Sequence, residues 1–205
     1  MEYIRKKIKY LSMISYNINN NITTPNVRNE SYTQILTDLK VDLEKIDKNN
    51  SDLNSAVLFD EMNTTSINLK LYNTIQDYQS IKDSHYDWWV FPIPDRSNKG
   101  FKFSVFLNDI KNLKKKYTEI TEIIKKNAII VCNAWGWDLV NKKLIRDLEA
   151  NQSWEPLNNI RLFKMILSLL CFGLIDEANS AIQFGKTIKD LDYMYNERDY
   201  RYLFV

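Results

Sequence analysis

Glycine and proline are scarce in this chain, with four of each in 205 residues. So few turn-formers exclude a fold of many short strands joined by tight turns and favour long helices. Histidine occurs once, at His85, and cysteine twice, at Cys132 and Cys171. Neither supplies HxxxH, CxxC or HxE spacing, so the common metal-ligand signatures are missing. No glycine-rich phosphate loop and no GxSxG elbow is present, and no cofactor is implied. No apolar run reaches the about 18 residues that a membrane span needs. The greasiest run, Leu162 to Leu174, is interrupted by Lys164. The first residues carry charge without the apolar core of a signal peptide, which leads us to expect a soluble, cytoplasmic protein.

Charge of one sign is also lacking. The formal net charge is +2, so no global field calls for nucleic acid or acidic lipid. Two lysine-rich patches, Arg5-Lys6-Lys7 with Lys9 and Lys111 with Lys114 to Lys116, read as solvated helix faces rather than phosphate-binding stripes. Two cysteines do not make a disulfide framework, and both lie in apolar helical runs, where they read as small buried hydrophobes. A Cys132–His85 or Cys171–His85 dyad is disfavoured because burial raises a thiol's pKa and blocks access. Glu119 and Glu122 read as first-turn helix carboxylates, not as an acid/base pair. Asn-x-Ser/Thr triplets, among them those at Asn21, Asn29, Asn63 and Asn151, are expected by chance in so Asn-rich a chain.

What is present is helical periodicity. Residues 1–16 suggest a short amphipathic helix, and residues 17–30 a polar linker too hydrophilic to order itself. Ser31 with Gln34 forms a capping box for a helix through Ile46. Leu53 to Phe59 is a short apolar patch with no assigned state. Ser66 is expected to cap a helix striped by Ile67, Leu71, Ile75, Tyr78 and Ile81. Asn108 starts another helix, and Thr118 starts a third with Ile120, Ile124, Ala128 and Val131 on one face, stopped at Gly136. Trp137 to Leu148 is expected to be irregular or helical. Asn158 or Asn159 caps a helix from Ile160 to Phe172 that is apolar on most sides and therefore central. Asp176 caps the last helix, and the tyrosine-rich tail from Tyr193 is expected to pack as an arm. These elements predict a mostly α, single-domain orthogonal helical bundle over 31–205, with 1–30 as an N-terminal helix and linker.

The run Asp87-Trp88-Trp89-Val90-Phe91-Pro92-Ile93-Pro94 breaks the helical pattern. The prolines predict that Val90, Phe91 and Ile93 are extended. Phe101 to Val105 is expected to be extended as well, with no obvious partner. The tryptophans plug one end of the bundle or line a groove for a peptide, and since neighbours in sequence point apart, both roles fit. Arg161 opens the central helix. It pairs a carboxylate such as Asp87 or Asp138, or takes the carboxylate of a bound peptide.

Two blocks together resemble the conserved N-terminal region of the opioid growth factor receptor family. The family's Trp-Leu-Phe-Pro-Leu is matched by Trp89-Val90-Phe91-Pro92-Ile93. Its Asn-Leu-Arg-Ile, Ser-Leu and Leu-Gly-Leu are matched in register by Asn159-Ile160-Arg161-Leu162, Ser168-Leu169 and Phe172-Gly173-Leu174. Between them the family's aromatic-Gly pair appears as Trp135-Gly136, followed by Asp138-Leu139. The similarity covers about residues 66–185. The chain departs from it where Ser84-His85-Tyr86 stands for a His-Asp-Tyr and where Trp88 replaces a polar residue. The resemblance implies a shared helical domain with a peptide-binding surface. The leading expectation is thus a non-enzymatic module that binds a peptide or protein through His85, Trp88, Trp89 and Arg161. One alternative is an enzyme with an unfamiliar site gathering His85 with carboxylates. Another is a basic nucleic-acid binder using Lys111 to Lys126 and the N-terminus.

Overall fold

The computed structural model describes residues 55–71, 85–94, 102–105, 107–145, 156–195 and 198–204. The helices expected over 1–16 and 31–46, the linker between them and the N-terminal basic patch lie outside the described residues. So do Ile75, Tyr78 and Ile81. Within them the chain is mostly helical. The helices are α1 (Ser55–Leu71), α2 (Asp87–Val90), α3 (Leu107–Lys116), α4 (Ile120–Ala134), α5 (Pro156–Phe172) and α6 (Ile175–Thr187). Two small antiparallel hairpins, β1 (Trp137–Asp138) with β2 (Lys143–Leu144) and β3 (Met194–Tyr195) with β4 (Arg198–Asp199), and a short 3-10 helix, Arg201–Leu203, complete the described elements.

Helix α5 is the centre, as its composition requires. From Asn158 to Phe172 every residue is buried except Lys164 and Leu170, which are intermediate. A helix with so little polar surface can be stable only when neighbours cover all its sides. Helices α2, α4 and α6 do so. Pro156 occupies the first helical position, where its missing N–H costs nothing. Gly173, at φ 84°, ends the helix in the left-handed region that a side chain would resist. The Lys114 ammonium reaches the same end and donates to the Phe172 carbonyl at 3.3 Å. Burial holds the Lys114 pKa below the usual lysine range. That lysine of the basic patch thus has a structural task.

Helix α4 buries the expected stripe, Ile120, Ile124, Ala128 and Val131. Two contacts set its direction against the α5–α6 pair. Cys132 Sγ lies 3.9 Å from Met165 Sδ. One to two turns earlier, Lys125 Nζ is 2.6 Å from Glu177 at the start of α6, and this hydrogen bond raises the Lys125 pKa. Both cysteines are free and buried, and burial pushes the Cys132 thiol up.

Asn127 lies on the same buried face, and its side-chain nitrogen and oxygen find no hydrogen-bond partner among the described residues. An unsatisfied buried amide costs about 1–3 kcal/mol. Asn127→Leu, of similar volume, is therefore expected to raise the unfolding free energy by about 1–3 kcal/mol in urea titration. A fall in the midpoint would contradict this reading of the site.

Several boundaries differ from expectation. Helix α1 begins at Ser55, so Ser66 lies inside it and does not cap it. Burial of Leu58 and Met62, one turn apart, extends the helix upstream through a stretch without proline or glycine. Asn108 falls inside α3, while Glu119 and Leu174 hold the cap positions of α4 and α6 without side-chain cap bonds. Val90 is helical, not extended. The steric restriction applies to the residue immediately before proline, here Phe91 and Ile93. Trp137 to Leu144 forms a hairpin where an irregular or helical piece was expected. The segment around Phe103 does find a partner, since the Val105 amide donates to the Ile93 carbonyl at 3.3 Å.

The tail folds back onto α5. Phe163 is fully buried, and Tyr200 stacks on it at 4.7 Å between ring centroids, with Tyr193 and Phe204 completing the cluster. Close approach is possible because α6 presents Gly185 there. A Cβ at Gly185 would overlap the ring edge of Phe204 and lie 3.2 Å from Leu162 Cδ2. Overpacking of this kind costs about 1–3 kcal/mol, partly offset by about 1 kcal/mol of helix propensity. Gly185→Ala is expected to lower the thermal midpoint in the parent but not in a Phe204→Ala background. Equal effects in both backgrounds would contradict the contact.

Candidate functional site

The site grows from helix α2, a single turn that follows His85 and Tyr86. His85 has φ 54°, an uncommon conformation for a non-glycine residue. The turn is closed by backbone bonds from Trp88 to His85 and from Val90 to Tyr86. It splits the four residues between two environments. Asp87 and Val90 are buried against the core, and Trp88 and Trp89 are half-buried at the surface.

Asp87, only 4% exposed, faces α5. There Lys164 Nζ donates to its Oδ2 at 2.7 Å, and Arg161 Nε stands 3.7 Å from its Oδ1. Arg161 and Lys164 are three apart in sequence and so share one face of α5. The Arg161 guanidinium is 3% exposed, bonds Asn158 Oδ1 at 3.4 Å and lies 5.5 Å from the buried Tyr86 ring. Burying an arginine and a lysine against one carboxylate is costly unless the pairing is well made. This cluster holds α2 to the central helix.

Above it lie the aromatics. The exposed His85 ring stacks on Trp88 at 5.1 Å and 15°. Lys164 Nζ sits 5.8 Å from the Trp88 ring centroid. Trp89 turns the other way, 5.5 Å from Phe103. His85 is exposed and Trp88 and Trp89 are partly buried against the core, so this end of α2 reaches the surface, while Arg161 belongs to its foundation. The alternative role for Arg161, taking the carboxylate of a bound peptide, requires a guanidinium that reaches solvent. Burial and the Asp87 pair remove it from that role. Of its two suggested partners, Asp87 is the one met. Asp138 instead accepts the turn amides of Val140 and Asn141.

The chain matches no family model, no curated protein and no solved structure.

Lys164 and Tyr86 were not singled out from the sequence. Lys164 was noted only as a break in an apolar run, although its spacing from Arg161 was the available signal. No group of His, Cys, Asp and Glu able to hold a metal occurs among the described residues. Of the lysines named for a nucleic-acid interface, Lys111, Lys115, Lys116 and Lys126 are exposed. Lys116 lies 5.0 Å from the Tyr117 ring centroid. No helix of the described residues is long and apolar enough to cross a membrane.

Proposed function

We propose that the chain is a non-enzymatic module that binds a peptide or protein through the His85–Trp88–Trp89 edge. The observation that carries this reading is the pairing of an exposed His85 and two partly exposed tryptophans with a rigid base. Trp88 stays half-buried beneath His85, while the adjacent Asp87 is locked to Arg161 and Lys164. Aromatic side chains held in one orientation supply large contact area at low entropic cost, as binding sites do. An enzymatic site around His85 would need carboxylates gathered beside it, and Asp87 is turned inward instead.

The relation to the opioid growth factor receptor family is part of the same proposal. Its support is the order of the blocks and their meeting in space, since α2 packs on α5. So are the orthogonal arrangement of the helices around α5, the extended course of the proline segment and a cytoplasmic location. The last draws on two free, buried thiols.

Selection from a random peptide library on the immobilised chain tests the function. Binders should be recovered whose retention falls at least tenfold with Trp88→Ala and is unchanged with Lys189→Ala, an exposed residue just past the end of α6. Failure to recover binders, or binders indifferent to Trp88→Ala and Trp89→Ala, would overturn the reading.

A further inference from the structure

Among the described residues, the exposed large hydrophobics are Val140, Leu144, Ile145 and Met194. Three of these share the β1–β2 hairpin, where residues 140 to 145 are exposed in unbroken succession. Val140 is 61%, Leu144 46% and Ile145 51% exposed. The turn and open side of such a hairpin ordinarily carry polar residues, because nothing there repays burial.

The hairpin is not loose. At its base the Trp137 indole donates to Ser180 Oγ at 3.0 Å and packs on Phe184, and Leu139 is buried. The Ile145 amide bonds the Gly136 carbonyl at 2.7 Å. Across the turn, the Asp138 carboxylate accepts from the amides of Val140 and Asn141 and from the Asn141 side chain. These bonds, the Asn141 amide foremost, hold the Asp138 pKa below the usual carboxylate range. Lys142 sits at φ 55°, where Gly or Asn would be cheaper. The buried first strand therefore holds an outer side in solvent, made of Val140 in the turn and Leu144 and Ile145 opposite Trp137 and Gly136, with Lys142 and Lys143 exposed between them.

The composition of this outer side separates two kinds of occupant. Protein interfaces favour Trp, Tyr and Arg, deplete Lys, and seldom use Leu or Val as energetic anchors. A lipid surface suits the opposite set. Aliphatic side chains enter the boundary between headgroups and acyl chains, while lysine stems lie along apolar surface and their ammonium groups meet phosphate. The one carboxylate of the hairpin accepts from its own turn amides and stands across from Lys143, so the hairpin carries two lysines against one acid, a net positive charge that suits such a surface.

We propose that the outer side of this hairpin, residues 140–145, docks the protein peripherally on an anionic lipid surface, with Val140, Leu144 and Ile145 inserting and Lys142 and Lys143 pairing with lipid phosphates. This is separate from the His85–Trp88–Trp89 edge and stands whether or not that edge binds a peptide. The test is co-sedimentation of the full chain with vesicles of phosphatidylcholine containing phosphatidylserine, and with phosphatidylcholine alone. Binding is expected to the first and to weaken with salt. Lys142→Gln and Lys143→Gln should each weaken it about fivefold at low salt, as a contribution of about 1 kcal/mol per lysine implies. Val140→Ser with Leu144→Ser and Ile145→Ser should abolish it while leaving the circular dichroism unchanged, because these side chains support no core. No sedimentation with phosphatidylserine vesicles, equal binding to both vesicles, or binding indifferent to both sets of variants would overturn the proposal. So would self-association that the serine variant abolishes in a protein that ignores lipid, which would make this outer side a protein interface.

Discussion

Asp87→Ala is expected to lower the unfolding free energy by about 3–5 kcal/mol, more than any other single change at the candidate site. The reason is the asymmetry of buried charge. Arg161 and Lys164 share the Asp87 carboxylate, at 3.7 and 2.7 Å, and Arg161 has almost no access to water. Deleting the carboxylate does not merely remove an attraction. It deprives two cations of the charge that made their burial tolerable. Lys164→Met should cost much less, because it removes a cation instead of stranding one and Asp87 keeps its pairing with Arg161. Asp87→Ala should also loosen α2, so that Trp88 emission shifts to the red before global unfolding. Urea titration followed by far-ultraviolet circular dichroism and by fluorescence measures both. Equal small losses for Asp87→Ala and Lys164→Met would mean that the cluster is not a foundation.

Phe163→Ala is expected to cost about 3–5 kcal/mol as well, by leaving a cavity under the tail. Phe163 projects from the central helix into a cluster formed by Tyr193, Tyr200 and Phe204. Tyr193 and Phe204 also meet each other edge to face at 5.2 Å. The backbone bond from Tyr200 to Tyr193, at 2.9 Å, spans the β3–β4 hairpin and ties the two sides of the tail together. With Phe163 gone, the tail loses its main contact surface on α5. Limited proteolysis should then cut between Tyr193 and Phe204 ahead of the helices. Retention of parental stability with a protected tail would show that the aromatic cluster contributes little.

The helices that could be read from the sequence are those whose signal is continuous. Helix α5 was visible because an apolar run between Asn159 and Gly173 fits only a covered helix, and α4 because Ile120, Ile124, Ala128 and Val131 repeat cleanly. What escaped was set by contacts distant in sequence. Helix α1 starts early because Leu58 and Met62 find a core that the local pattern does not announce. Strands of two residues carry no alternation to detect, and the β1–β2 hairpin depends on Asp138 capping its turn. The candidate site was half visible. The tryptophan run was conspicuous, and Asp87 stood among the partners suggested for Arg161. Lys164 was hidden because a lone lysine in a greasy helix looks like a flaw until its i, i+3 neighbour is considered. The helical turn at Asp87–Val90, which sends the acid inward and leaves the tryptophans near the surface, could not be inferred beside two prolines.

Acrylamide quenching of tryptophan fluorescence, compared among the parent, Trp88→Phe and Trp89→Phe, tests the central claim most directly. Trp135 and Trp137 are buried and should be shielded. An accessible aromatic edge predicts that each substitution removes a readily quenched component, the larger with Trp88→Phe. If the component lost is blue-shifted and shielded in both variants, the tryptophan run is core and the binding edge does not exist.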